Sequence, residues 1–134
     1  MYAALRHGVN GAGLYQCGPY RMEGYPAVWS QATEMMKRFS AITFIAALDD
    51  ATSSVRVTAS EGKPLYRAFR KGNRLWLILQ NGSFAPGLFR VEVAGASAAP
   101  VKVLFEERSI RPAKGVFSDA FTEAGTHLYL IEMK

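Results

Sequence analysis

The sequence predicts a mainly β protein, an antiparallel β-sandwich of about eight strands with an N-terminal helical segment packed against it. Three observations carry this expectation. After residue 54, short apolar runs alternate with turn signals at Glu61-Gly62-Lys63-Pro64, Gly72-Asn73, Asn81-Gly82-Ser83 and Pro86-Gly87. Before residue 50, Val28, Trp29, Ala32, Met35, Met36 and Phe39 recur at spacings of three and four, the period of an amphipathic helix. With 134 residues and a hydrophobic fraction of 49%, the chain can bury one real core, but it is too short for a barrel and a sandwich together.

Taken in order, Tyr2 to Arg6 suit a short helix stopped by Gly8 and Asn10-Gly11. Ala12 to Gln16 suit a short strand ended by Gly18-Pro19, and Arg21 to Gly24 a loop. Pro26 can open the following helix, where a missing backbone N–H costs nothing. The pattern changes near residues 49–54, where Asp49, Asp50 and Ser53-Ser54 read as a loop. This divides the chain into a helix–strand–helix segment, 1–50, and a sandwich, 51–134. The expected strands are Val55–Ala59, Leu65–Arg70, Arg74–Gln80, Leu88–Val93, Val101–Phe105, Ser109–Arg111, Gly115–Ser118 and Thr126–Ile131. Ala94 to Ala99 is a loop, and Phe117 to Phe121 reads as a turn in which Asp119 accepts backbone N–H groups between two buried rings.

A two-residue turn at Gly72-Asn73 fixes a register. Phe69 then faces Trp76, Arg67 faces Ile78 and Arg70 faces Leu75. Leu75, Leu77 and Leu79 point to the core with Ala68 and Tyr66. The opposite face carries Phe69, Trp76, Ile78, Arg67, Lys71 and Arg74. Either the N-terminal helix covers this face, or its aromatics and arginines meet a sugar or base.

The formal net charge of +5 is uneven. Residues 1–50 carry four basic and four acidic side chains, so the excess lies further on. It concentrates in Lys63, Arg67, Arg70, Lys71 and Arg74, a local patch too small to indicate nucleic-acid binding by composition. The longest apolar run, Ile42 to Leu48, falls far short of the ~20 residues of a membrane span. No signal peptide is evident, and nothing assigns a compartment. Cys17 stands alone, which precludes an internal disulfide and reads as a small buried side chain. His127 lies in an alternating strand and His7 far from it, so no metal set forms. His127 reads as a hydrogen-bonded structural histidine, and Arg108, beside Glu106 and Glu107, as a strand-end ion pair or solvated corner. No phosphate loop or nucleophile–base motif appears, and no cofactor is implied.

The closing third runs Val101-Lys102-Val103-Leu104-Phe105-Glu106-Glu107-Arg108, then Gly115 to Phe121, then His127 to Ile131. It resembles the end of the C-terminal β-sandwich domain attached to many (β/α)8-barrel glycoside hydrolases, where a "vxVlfExRxi…xgxFxDxFxxxxvHxYxI" pattern closes the sandwich. Tyr2 to Gly8, Gly11 to Tyr15 and the Trp29 helix resemble the last strand and helix of such a barrel. The resemblance implies a non-catalytic accessory domain within a fragment of such an enzyme. The catalytic carboxylates would reside on earlier barrel strands, while Glu106 and Asp119 belong to closing strands and corners. Tyr15, Gln16 and Tyr20 would lie at the substrate end of the last strand.

No catalytic residue is therefore expected. Two other functions compete: a carbohydrate-binding module using the Phe69/Trp76 face with Arg67 and Arg74, and nucleic-acid binding through Lys63 to Arg74. A homodimer through an exposed strand edge or the N-terminal helix is a further expectation.

Overall fold

The computed structural model describes residues 26–134, and the chain divides into two compact units, Met1–Ala47 and Leu48–Lys134. The expected elements before Tyr25, with Tyr15, Gln16, Cys17 and Tyr20, lie outside the described residues. In the first unit, helix α1 spans Pro26–Ile42 and a 3-10 turn follows at Thr43–Ala47. Pro26 is its first residue, as its fixed φ favours. Phe39 and Ile42 are buried, and Glu34 and Arg38 pair one turn apart at 3.0 Å on an exposed face.

The second unit is an antiparallel sandwich with nine strands among the described residues: β1 Asp49–Asp50, β2 Val55–Ala59, β3 Pro64–Lys71, β4 Arg74–Asn81, β5 Gly87–Val93, β6 Val101–Val103, β7 Arg108–Ile110, β8 Val116–Phe121 and β9 Thr126–Glu132. Six form one sheet in the order β1-β3-β4-β9-β6-β7, and three form the other in the order β2-β5-β8. Asp49 and Asp50 pair with Arg70 and Phe69 rather than forming a loop, so the sandwich begins slightly before residue 51. Opposed charges across the strands compensate for the weak β-propensity of Asp.

The hairpin register is the one the sequence predicts: Arg70↔Leu75, Phe69↔Trp76 and Arg67↔Ile78. Gly72 supplies the left-handed φ of +59° in the turn. Leu75, Leu77 and Leu79 enter the core with Ala68, and Tyr129 and Ile131 join them from β9. The other sheet contributes Val55, Val57, Phe89, Val91, Val93, Phe117 and Phe121. Phe89 and Phe121 stack with centroids 4.5 Å apart. On the outer face of the larger sheet, Phe69, Trp76, Ile78 and Leu128 are buried as well. This explains why β4 reads as an unbroken apolar run instead of alternating.

Two stretches differ from the sequence expectation. Val101 to Phe105 leaves the sheet after Val103, since Leu104 to Glu107 turn the chain into β7. Phe117 to Phe121 is strand, not turn. The two-residue turn preceding it is Lys114-Gly115, both in the left-handed region at φ +53° and +79°, closed by Ala113–Val116 hydrogen bonds of 2.8 and 3.0 Å. A Cβ on Gly115 would meet the Val93 carbonyl oxygen at 2.8 Å, whereas one on Gly72 would meet nothing within 4 Å. Gly115→Ala should therefore cost about 2 kcal/mol, and Gly72→Ala about 1 kcal/mol from backbone strain alone. Urea midpoints of the two variants test this ordering.

Candidate functional site

Alternation along two strands builds the polar centre of the sandwich. In β8, Phe117, Asp119 and Phe121 point inward, and in β9 so do His127, Tyr129 and Ile131. A carboxylate thus sits between two core rings, 9% exposed. Such a charge is tolerated only when paired and hydrogen-bonded. Arg108 supplies the partner from β7: its Nη1 and Nη2 donate to Asp119 Oδ1 and Oδ2 at 3.0 and 2.8 Å. The planar guanidinium matches the carboxylate in a fork that lysine could not reproduce. Tyr129, with no exposed surface, donates its hydroxyl to Asp119 Oδ2 at 2.7 Å, and the Ala120 N–H donates to Oδ1 at 3.0 Å.

The remaining Arg108 donor, Nε, reaches Glu106 Oε2 at 2.8 Å, and His127 Nδ1 donates to Glu106 Oε1. His127 also meets the Phe121 ring edge-on at 4.5 Å between centroids. Glu106, Arg108, Asp119, His127 and Tyr129 form one continuous network. It joins the β6–β7 turn and edge strand β7 to β9 and, across the gap between the sheets, to edge strand β8. Arg108 is accordingly neither a solvated corner nor only a strand-end pair. Asp119 is held chiefly by side chains of the facing sheet, with one backbone N–H added. Sequence reasoning read His127 as hydrogen-bonded but did not bring it to Glu106.

The electrostatics follow from burial and these partners. For Asp119, burial works to raise the pKa, but Arg108 and the Tyr129 hydroxyl outweigh it and hold the carboxyl below its ordinary value. Burial first, then the hydrogen bond to Asp119, pushes the Tyr129 hydroxyl well above its ordinary value. A depressed carboxyl stabilises the fold above its unfolded pKa of ~3.9, and that contribution is lost as pH falls below it. A raised tyrosine stabilises below its unfolded pKa of ~10, and that contribution is lost as pH climbs beyond it. Urea midpoints against pH should fall at both ends, with Asp119→Asn flattening the acid limb and Tyr129→Phe the alkaline one.

The other sequence candidates do not converge. Phe69 and Trp76 are 2% and 7% exposed, which leaves little ring area for a sugar. Arg67 is engaged with Asp50 at 3.0 Å and lies over the Phe69 ring at 5.2 Å. Arg74 stands opposite Glu132, and Arg70 opposite Asp49. Lys63 precedes β3 while Lys71 ends it, roughly 25 Å away at ~3.3 Å per residue. The basic run is therefore strung along a strand and interleaved with carboxylates. Among the described residues, no group of three His, Cys, Asp or Glu is placed to hold a metal ion, and no helix is long and apolar enough to cross a membrane.

Comparison with known proteins finds no matching family model, no matching curated protein and no matching solved structure.

Proposed function

We propose that this chain is a non-catalytic accessory β-sandwich domain, of the kind that closes (β/α)8-barrel glycoside hydrolases, and that it performs no hydrolysis by itself. One observation carries the reading. The polar letters of the resembled pattern fall on Glu106, Arg108, Asp119, His127 and Tyr129, and these five side chains bond to one another inside the sandwich. Asp119 accepts four hydrogen bonds, which fills its lone pairs. Both oxygens of Glu106 are engaged.

A glycosidase needs two carboxylates facing each other across a bond to be cut, with room for a sugar between them. Here the space beside Asp119 is taken by Arg108 and by core rings. The pattern thus describes what holds two sheets together.

The test is turnover of a panel of aryl glycosides by the purified protein. The expected rate equals the buffer blank. Turnover that disappears in a single carboxylate variant such as Glu107→Gln or Glu123→Gln would overturn the proposal.

A further inference from the structure

Two hollows meet at the turn between β7 and β8. The first, of about 370 Å³, is lined by Ser53, Arg56, Glu92 and Lys114 among others. The second, of about 230 Å³, is lined by Ser97 and Lys134, with no Asp or Glu side chain in its wall. Val93, Lys114 and Gly115 belong to both, so Lys114 stands where the two adjoin. The larger falls within the ~300–1,000 Å³ range of ligand sites. Lys114 is the first central residue of its two-residue turn, with a left-handed φ of +53°. Asparagine, aspartate or glycine suits that position, and a lysine there carries backbone strain. Its side chain is exposed, so core packing does not explain the choice. Strain retained under an exposed charge points to binding.

The charges around the larger hollow do not cancel. Arg56 stands opposite Glu92 across β2 and β5, but Glu92 already accepts from Arg90 Nε at 3.1 Å. Asp50, beside the Thr52–Ser54 turn, is held by Arg67 and by the Thr52 N–H. Among the described residues neither Arg56 nor Lys114 forms an ion pair. Arg56, Arg90 and Lys114 against Glu92 therefore leave two positive charges beside the hollow. Ser53, exposed in its wall, adds a hydroxyl, and Ala94 and Val116 add a small apolar surface. The site shares no residue with the Lys63–Arg74 run.

We infer that the larger hollow binds a phosphate monoester, with the phosphate oxygens shared among the Arg56 guanidinium, the Lys114 ammonium and the Ser53 hydroxyl. A phosphate monoester carries a charge of about −1.5 to −2 at neutral pH, which matches the local excess. The guanidinium fork takes two oxygens, and the ammonium and hydroxyl take the third from other directions. A carboxylate would be satisfied by Arg56 alone and leave Lys114 without a role. Such binding is independent of the domain being non-catalytic, since affinity and turnover are measured separately.

The experiment is an amide NMR titration of the 134-residue protein with glucose 6-phosphate, with glucose, glucuronate and sodium chloride at equal ionic strength as comparisons. Saturating shifts at Ser53, Arg56, Lys114 and Gly115 are expected with the phosphate ester, in the millimolar range of an exposed charge-assisted site. Affinity should fall at least about fivefold in Arg56→Gln and in Lys114→Asn. Asparagine suits the turn, so the melting temperature of Lys114→Asn should stay level or rise, which separates lost binding from lost folding. Lys63→Gln should bind unchanged, because Lys63 lies beyond the far end of β2 beside Asn81. Affinity should also drop as pH falls below ~6, where the ester takes up a proton. Three results would overturn the inference: shifts that do not saturate or that chloride reproduces, glucuronate binding as tightly as the ester, or affinity unchanged in Arg56→Gln or Lys114→Asn.

Discussion

Asp119→Ala should lower the stability of the sandwich by about 3 kcal/mol, with the urea m-value unchanged. Two costs add. The Tyr129 hydroxyl, fully buried, loses its acceptor and is left unsatisfied. Arg108 loses both fork contacts, but its side chain is 35% exposed and keeps Glu106, so water offsets part of that loss. This places the total at the low end of the range for breaking a buried pair. For a unit of this size the melting temperature should fall by at least ~10 °C. Asp119→Asn preserves shape and one acceptor, and should lose roughly half as much.

Asn81→Ala should be comparably damaging, at about 3 kcal/mol. Asn81 is fully buried at the end of β4, and its amide closes three loops. Oδ1 accepts the Lys63 and Ser83 N–H groups at 3.2 and 3.0 Å; Nδ2 donates to the Ala85 and Thr122 carbonyls at 2.7 and 3.1 Å. Alanine would remove the Asn81 partner of the Lys63 and Ser83 N–H groups and of the Ala85 carbonyl at once, while the Thr122 carbonyl would keep the Gly125 N–H at 3.1 Å. Asn81→Asp tests the donor half separately, because a carboxylate would face the two carbonyls with nothing to donate. Its stability should recover partly in acid, where protonation restores one donor. Calorimetry at neutral and acid pH distinguishes the two variants.

The sandwich was legible because period-two alternation and turn residues agree along most of it. Leu75, Leu77 and Leu79 against Ala68 and Tyr66 follow from one two-residue turn. Two of the failures share a cause. Asp49-Asp50 and Phe117-Ser118-Asp119-Ala120-Phe121 contain residues that favour turns, and tertiary pairing overrides that preference. The alternation Phe117, Asp119, Phe121 already placed a carboxylate on the core face. It also demanded a cationic or hydroxyl partner, and His127, Tyr129, Ile131 supplied the hydroxyl from the facing sheet. What sequence could not supply was the turn at Leu104 to Glu107 that swings Arg108 inward, because two of its residues occupy backbone conformations that their types disfavour.

The measurement that tests the clamp most directly is a double-mutant cycle on Arg108 and Asp119, using urea unfolding of Arg108→Ala, Asp119→Ala and the double variant. If these residues tie the two sheets together, the double variant loses less than the sum of the singles, with a coupling of at least ~1.5 kcal/mol. Losses that add to within about 0.5 kcal/mol would contradict the account.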